Sequence, residues 1–195
     1  MGPGVLIPRP DTETLVEVSL SLLEGVPSPA VADLCAGSGA VAVAFAHCRP
    51  DAAVWALERS ELALPYLREN IARNGVAVAA LPADVLVPPP LPPLDLAVSN
   101  PPYIRRGDLP GLSPQVRREP EMALDGGEDG LDFYRALPPL WLPRLRPGGA
   151  LAFEVGYDQA EEVAALLEAA GFVDVRAVRD LAGILRVVHG RRPLF

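Results

Sequence analysis

Asn100-Pro101-Pro102-Tyr103 can present one kind of group to an electrophile. The Asn100 side-chain carbonyl and the Pro101 main-chain carbonyl can each accept one N–H of a planar NH2 group. An amide or exocyclic amine nitrogen is a poor nucleophile because its lone pair is delocalised. Alkylating it requires that lone pair to be turned toward the incoming carbon, and two such acceptors would do the turning. Adjacent prolines hold the backbone extended, so little ordering remains for the moment of reaction. Tyr103 can stack on a planar amide or base. No ionisable base is needed, since the proton can leave after transfer. Pro-Pro alone would be an ordinary turn; the Asn before it and the aromatic after it set this run apart.

A second run, Asp33-Leu34-Cys35-Ala36-Gly37-Ser38-Gly39, leaves a predicted strand and enters a helix, which presents main-chain N–H groups at the strand's carboxyl end. A lone Gly-x-Gly is a weak signal, and the strand-turn-helix setting strengthens it. Glu58 ends the next strand about 20 residues further on, where a carboxylate can accept from both hydroxyls of a ribose. Asp84 closes the third strand region and can accept from an adenine amino group, although acidic residues are also common in turns. Together, Asp33, Glu58 and Asp84 would oppose a pyrophosphate and suit a ligand carrying a sulfonium and a free ammonium.

The elements that must position these residues alternate. Short apolar runs predict strands over Val31–Ala36, Ala53–Glu58, Val76–Ala80, Leu94–Ser99, Ala150–Val155, Val173–Arg179 and Ile184–His189. Helical patterns fall at about Thr12–Glu24, Ala40–Cys48, Glu61–Asn74, Leu131–Leu145 and Gln159–Ala170. Alternation of this kind predicts an α/β domain with a mostly parallel sheet and helices on both faces. Gly25, Gly75 and Gly171 read as helix stops, and Asp158 with Glu161 as an Asp-led capping box. Only Asp180–Gly183 separates the last two strands, too little for a parallel crossover, so these should form an antiparallel hairpin. A parallel sheet finished in this way resembles the class I methyltransferase architecture, Rossmann-like with seven strands.

With 195 residues, half of them apolar, residues 1–195 read as a single domain, residues 1–28 leading into its core. No apolar run is long enough to span a bilayer and no leader pattern opens the chain, so a cytoplasmic protein with no membrane contact is expected. Cys35 and Cys48 make neither a metal-ligand spacing nor a disulfide framework, and no metal is expected. The formal net charge is -8 and all 17 basic side chains are Arg, a balance that disfavours direct nucleic-acid binding unless the arginines cluster.

Four segments together resemble the HemK/PrmC family, the peptide-chain release-factor glutamine methyltransferases, and the likeness covers nearly the whole chain. They are the lead-in Val5-Leu6-Ile7-Pro8-Arg9-Pro10-Asp11-Thr12-Glu13-Thr14-Leu15-Val16-Glu17, the run Val98 to Ile104, the stretch Glu119-Pro120-Glu121-Met122-Ala123-Leu124-Asp125-Gly126-Gly127-Glu128-Asp129-Gly130-Leu131, and Phe153-Glu154-Val155-Gly156-Tyr157-Asp158-Gln159. The Asn-Pro-Pro-Tyr run is shared with adenine methyltransferases; the other three segments are more specific. The resemblance implies methylation of the glutamine amide in the Gly-Gly-Gln tripeptide of a release factor, with S-adenosyl-L-methionine as donor and S-adenosyl-L-homocysteine as product. It places Thr12, Cys35, Ala36, Gly37, Ser38, Gly39, Glu58, Asp84, Val85 and Asn100 at the cofactor, where the charge argument also puts Asp33. Asn100, Pro101, Pro102 and Tyr103 fall at the substrate and the chemistry. Arg9 is either a substrate contact or a salt-bridging residue.

Cys35 stands where the family usually has a glycine, so the backbone there must avoid positive φ or bear strain. Val85 replaces an expected aromatic neighbour of the adenine, and Leu185 an expected acidic residue. The family's helical amino-terminal domain is expected to precede the lead-in and does not appear in these 195 residues. Adenine methylation of DNA or RNA, glutamine methylation of a ribosomal protein, and a cofactor-binding module of weak turnover remain as alternatives.

Overall fold

Seven strands form one sheet in the order β3-β2-β1-β4-β5-β7-β6 in the computed structural model, which describes residue 2 and residues 4–195. The strands are β1 (Ala30–Asp33), β2 (Ala53–Glu58), β3 (Val78–Pro82), β4 (Leu94–Ser99), β5 (Leu145–Glu154), β6 (Val173–Arg179) and β7 (Leu185–Arg191). The first five run parallel. β7 is antiparallel to both β5 and β6, so the expected hairpin is present, with β7 inserted between its neighbours. The chain runs outward from β1 to β3 and then returns to β4 on β1's other side. The carboxyl ends of β1 and β4 therefore flank the point where strand order reverses, the place where open α/β sheets bind ligands.

Residues buried on both faces account for the near-continuous apolar strands. One face packs against α1 (Thr12–Leu22), α2 (Ala40–Cys48) and α3 (Leu64–Asn74), through Leu15, Phe45 and Leu67 over Val54, Leu96, Val98 and Ala152. The other packs against α4 (Asp132–Trp141) and α5 (Ala160–Ala169), through Tyr134, Leu137, Trp141, Val163 and Leu167 over Ala97, Leu151 and Phe153. Two polar tips inside this second layer hold the ligand-side loops. Trp141 Nε1 donates to the Val85 carbonyl at 3.1 Å, pinning the loop after β3. The Tyr134 hydroxyl donates to the Glu154 carbonyl at 2.7 Å while its ring meets Phe153 edge-on, with centroids 5.3 Å apart.

Several boundaries differ from expectation. β1 stops at Asp33, and Leu34 to Ala36 turn away, although the Leu34 and Ala36 amides still donate to Val98 and Leu57. β3 is shifted two residues, to Val78–Pro82. The helical pattern expected to reach Leu145 breaks at Trp141, where a 3-10 turn, Leu142–Arg144, takes over at Pro143. β5 then begins five residues early, because Leu145 pairs with Leu94 ahead of a bulge. Asp158 does not cap α5: it bonds Arg105 at 2.9 Å, and Gln159 holds the N-cap position without a side-chain cap bond. Among the described residues no helix is long and apolar enough to cross a membrane.

Replacing Tyr134 by Phe keeps the ring packing and removes one buried donor. Destabilisation of about 1–2 kcal/mol is expected, read as a lower denaturant midpoint at unchanged slope. A midpoint equal to the parent's would show that the hydroxyl holds nothing.

Candidate active site

A cleft of about 240 Å³ opens at the carboxyl ends of β1, β2 and β4. Of the residues singled out in the sequence, Cys35, Gly37, Glu58, Asp84, Val85, Asn100 and Pro102 line it. The lead-in contributes Gly4, Val5 and Leu6 to the same wall. Asp33, Ala36, Ser38 and Gly39 support the turn from behind and do not line it. Gly39 is the N-cap of α2 at φ 86°, and a Cβ there would come within 2.5 Å of Leu67, so no larger residue closes this turn. Cys35 is not at positive φ: among the described residues only Ser28 and Asp174 are non-glycine cases. Its backbone takes the first of the two outcomes expected for that substitution. Burial pushes the Cys35 thiol up to about 12, so it stays neutral and acts as a small packing residue.

The acidic strand ends do different things. Glu58 accepts from the Gly37 amide at 2.7 Å and the Ser60 amide at 2.6 Å, tying the end of β2 to the glycine turn. A carboxylate has about four acceptor positions, so lone pairs remain for a ligand hydroxyl. Asp84 accepts from the Leu86 amide at 2.9 Å and lies 3.2 Å from Arg59, another cleft residue. Asp33 is 1% exposed; its Oδ2 accepts from the Ala42 amide at 3.1 Å, while Oδ1 has no partner. Burial raises its carboxyl from 3.8 to about 7, the Ala42 amide opposes that rise, and repulsion from Glu58 adds to it.

Asn100 stands at the end of β4 with its Nδ2 3.5 Å from Thr12 Oγ1. Behind both lies Glu154, at the end of β5 and 1% exposed, its Oε2 without a partner. Burial raises the Glu154 carboxyl above the ordinary range, while hydrogen bonding to Thr12, attraction to Arg186 and hydrogen bonding to Asn100 draw it back. The Asn100 NH2 is the end that faces Thr12. Its Oδ1 is left as the free acceptor. Pro101 is buried and Tyr103 half-buried, its phenol pushed up to about 12 by desolvation and by the charge of Glu154. The phenol is therefore neutral and supplies a ring rather than a base.

Gln159 holds these pieces in register. Its Nε2 donates to the Tyr103 carbonyl at 3.0 Å and the Gly130 carbonyl at 3.2 Å, and its Oε1 accepts from the Gly156 amide at 2.9 Å. Gly126 allows the returning chain to lie against Tyr103, since a Cβ would come within 2.7 Å of the Tyr103 Cα. Arg9 bonds Glu119 at 2.6 Å and so joins the lead-in to the loop after β4, the salt-bridging role. Glu154, Gln159, Phe133 and the lead-in's Val5 and Leu6 were not singled out in the sequence as site residues. Glu154 and Gln159 sat inside a recognised segment without a role. Phe133 gave no signal, yet it lines the cleft with Val85, where an aromatic was missing from position 85 itself.

The raised Asp33 carboxyl has a consequence for stability. Between about pH 4 and about pH 7 the folded chain keeps a proton that the unfolded chain releases, so Asp33 costs stability increasingly as pH rises through that window. The gap in melting temperature between Asp33→Asn and the parent should widen in the variant's favour across that range and then level off. A gap that does not change with pH would mean that Asp33 ionises normally.

The Methyltransferase small domain family model matches residues 12–111. A release factor glutamine methyltransferase of Burkholderia pseudomallei is 47% identical over 98% of this chain and 70% of its own length. One of Moorella thermoacetica is 47% identical over 93% of this chain and 65% of its own. The chain thus spans about two thirds of these curated relatives. Among solved structures, a methyltransferase from Pyrococcus furiosus superposes with a TM-score of 0.67 at 18% identity, covering 99% of this chain and 90% of that one. A 16S rRNA methyltransferase of T. thermophilus in complex with AdoMet and guanosine gives 0.68 at 24% identity, covering 95% and 44%. These two likenesses carry the fold, which is that of the class I methyltransferases. The sequence likeness carries more: the chain belongs to the release factor glutamine methyltransferase family.

Proposed function

We propose that this chain transfers a methyl group from S-adenosyl-L-methionine to the side-chain amide nitrogen of a glutamine, in the Gly-Gly-Gln tripeptide of a release factor. The observation that carries the reading is the place of Asn100 in the cleft wall with its Nδ2 3.5 Å from Thr12 Oγ1, which leaves Oδ1 as its acceptor for a substrate. An acceptor there takes one N–H of a substrate amide, and the Pro101 carbonyl is the second acceptor. Held between them, the amide is turned so that its nitrogen lone pair faces the cleft.

The residues present fit the donor. A carboxyl raised to about 7 beside a second carboxylate is relieved by a nearby cation, and Asp33 with Glu58 offers that setting to an ammonium or sulfonium. Cys35 to Gly39 would hold the methionine end with Thr12, Glu58 the ribose hydroxyls, Asp84 the adenine amino group, and Val85 with Phe133 its faces. When bound, the cofactor supplies an electrophilic methyl carbon on a positively charged sulfur. The amide held by Asn100 and Pro101 would give its nitrogen electron pair to that carbon as the carbon–sulfur pair returned to sulfur, and would lose its proton afterwards. Glu154 keeps the Asn100 amide from flipping, and the two prolines keep the acceptors preorganised.

Asn100→Ala should lower kcat for methyl transfer to release factor by on the order of a hundredfold or more, with cofactor affinity within about tenfold of the parent. Turnover is measured with labelled donor and mass spectrometry of the modified residue, and affinity by calorimetry. Unchanged kcat would remove Asn100 from the chemistry. Label in adenine of a nucleic acid and none in glutamine would overturn the substrate.

A further inference from the structure

The rim of the cleft is assembled by ion pairs from four separate segments. Arg9–Glu119 joins the lead-in to the loop after β4, and Arg105–Asp158 joins that loop to the one after β5. Arg186 bonds Asp180 at 3.2 Å and the Val155 carbonyl at 3.2 Å and lies 3.5 Å from Asp11, which brings the β6–β7 hairpin tip to the same edge. Each segment then exposes one large apolar side chain: Ile7 is 50% exposed, Met122 52%, Tyr157 74% and Leu181 102%. Large apolar residues that emerge together at one edge mark a surface that is covered in use.

The charge at this rim departs from that of the molecule. Between residues 105 and 118 stand Arg105, Arg106, Arg117 and Arg118 with a single carboxylate, Asp108, in a chain of net charge -8. Arg105 is held by Asp158 and Arg106 by Asp125. Arg117 and Arg118, exposed on the 3-10 turn Val116–Arg118, have no salt-bridge partner among the described residues. They immediately precede Glu119 and Pro120, which anchor and line the site.

We infer that Arg117 and Arg118 form a docking site for carboxylate side chains of the folded substrate protein, beside the loop that carries its target glutamine, with Ile7, Met122, Tyr157 and Leu181 as the apolar contacts around it. The inference rests on the proposed glutamine-methylating activity and adds the surface that selects a folded protein over a free peptide. Arginine, methionine and aromatic side chains are those enriched at the centres of protein interfaces. A nucleic-acid surface would call for a longer track of free cations spaced along a phosphate backbone, and here only two adjacent guanidiniums of this segment are without a salt-bridge partner among the described residues.

The test compares the parent with R117E/R118E, and with R117Q/R118Q as the milder change, on folded release factor and on a short Gly-Gly-Gln peptide. Expected is a fall in kcat/KM of at least about tenfold on the folded protein, carried by KM and smaller in the Gln variant, with peptide methylation within about twofold of the parent. Added salt should weaken the parent's reaction with the folded protein and leave the Glu variant's nearly unchanged. Equal kcat/KM on the folded protein for parent and both variants would overturn the inference. So would parent binding to an RNA oligonucleotide that both variants lose while protein methylation persists. If the parent methylates neither substrate, the glutamine reading fails; binding of folded release factor by parent and variants, titrated without turnover, then decides the docking site by itself.

Discussion

Carboxylates taken out of water at the carboxyl edge of the sheet constrain everything around them. Asp33 and Glu154 are each 1% exposed and each keeps an oxygen without a partner. A domain selected for stability alone would pair such groups or replace them with apolar side chains, because an unmatched buried charge or polar atom is costly. Both carboxylates instead project from the α1–α2–α3 face, Asp33 from β1 at the reversal of strand order and Glu154 from β5, one strand beyond β4. One is relieved by the first-turn amide of α2 and the other by Thr12, Asn100 and Arg186. The residual mismatch at Asp33 is what a cationic donor would relieve.

A second constraint is geometric. The run Asn100 to Tyr103 has no regular partner strand beyond β4, and two prolines remove two of its donors. Its position comes from groups far away in the chain: Gln159 bonds the Tyr103 carbonyl, and Ile104 exchanges main-chain bonds with Leu124 and Gly126. The loop after β4 is thus folded back on its own origin, with Gly126 where any side chain would collide with Tyr103. Rigid placement matters here because each acceptor must meet one N–H of the same planar group, and a displacement of about 1 Å would lose the alignment.

The sheet and its antiparallel finish were legible because strand alternation, connection length and handedness leave few topologies for seven such segments. The glycine turn and the Asn-Pro-Pro-Tyr run were legible for a related reason: tight turns and fixed backbones demand particular residue types. Element ends were less so. Leu145 reads as the last residue of a helix, since periodicity cannot register that Leu94 waits ahead of a bulge to pair with it. Asp158 read as a cap, since the spacing to Glu161 fits one, yet Arg105 competes for it from 53 residues away. Glu154 and Gln159 look in sequence like the polar boundary of a strand and the first turn of a helix. Their roles arise only when β4, β5 and the returning loop converge.

That convergence also explains why the lead-in belongs to the site. Residues 4–6 wall the cleft, Thr12 opens α1 beside Asn100, and Arg9 and Asp11 reach in opposite directions, to the loop after β4 and to the β6–β7 hairpin. Exposed ion pairs contribute little to stability singly. Here Glu119 is nearly buried and Arg186 almost as much, so each pair sets position more than it adds energy, and the two act on one short segment from both sides. A change in the lead-in is therefore transmitted to the cofactor wall, to the orientation of Asn100 and to the rim together. Docking at that rim and cofactor retention beneath it would then be coupled through the same few residues.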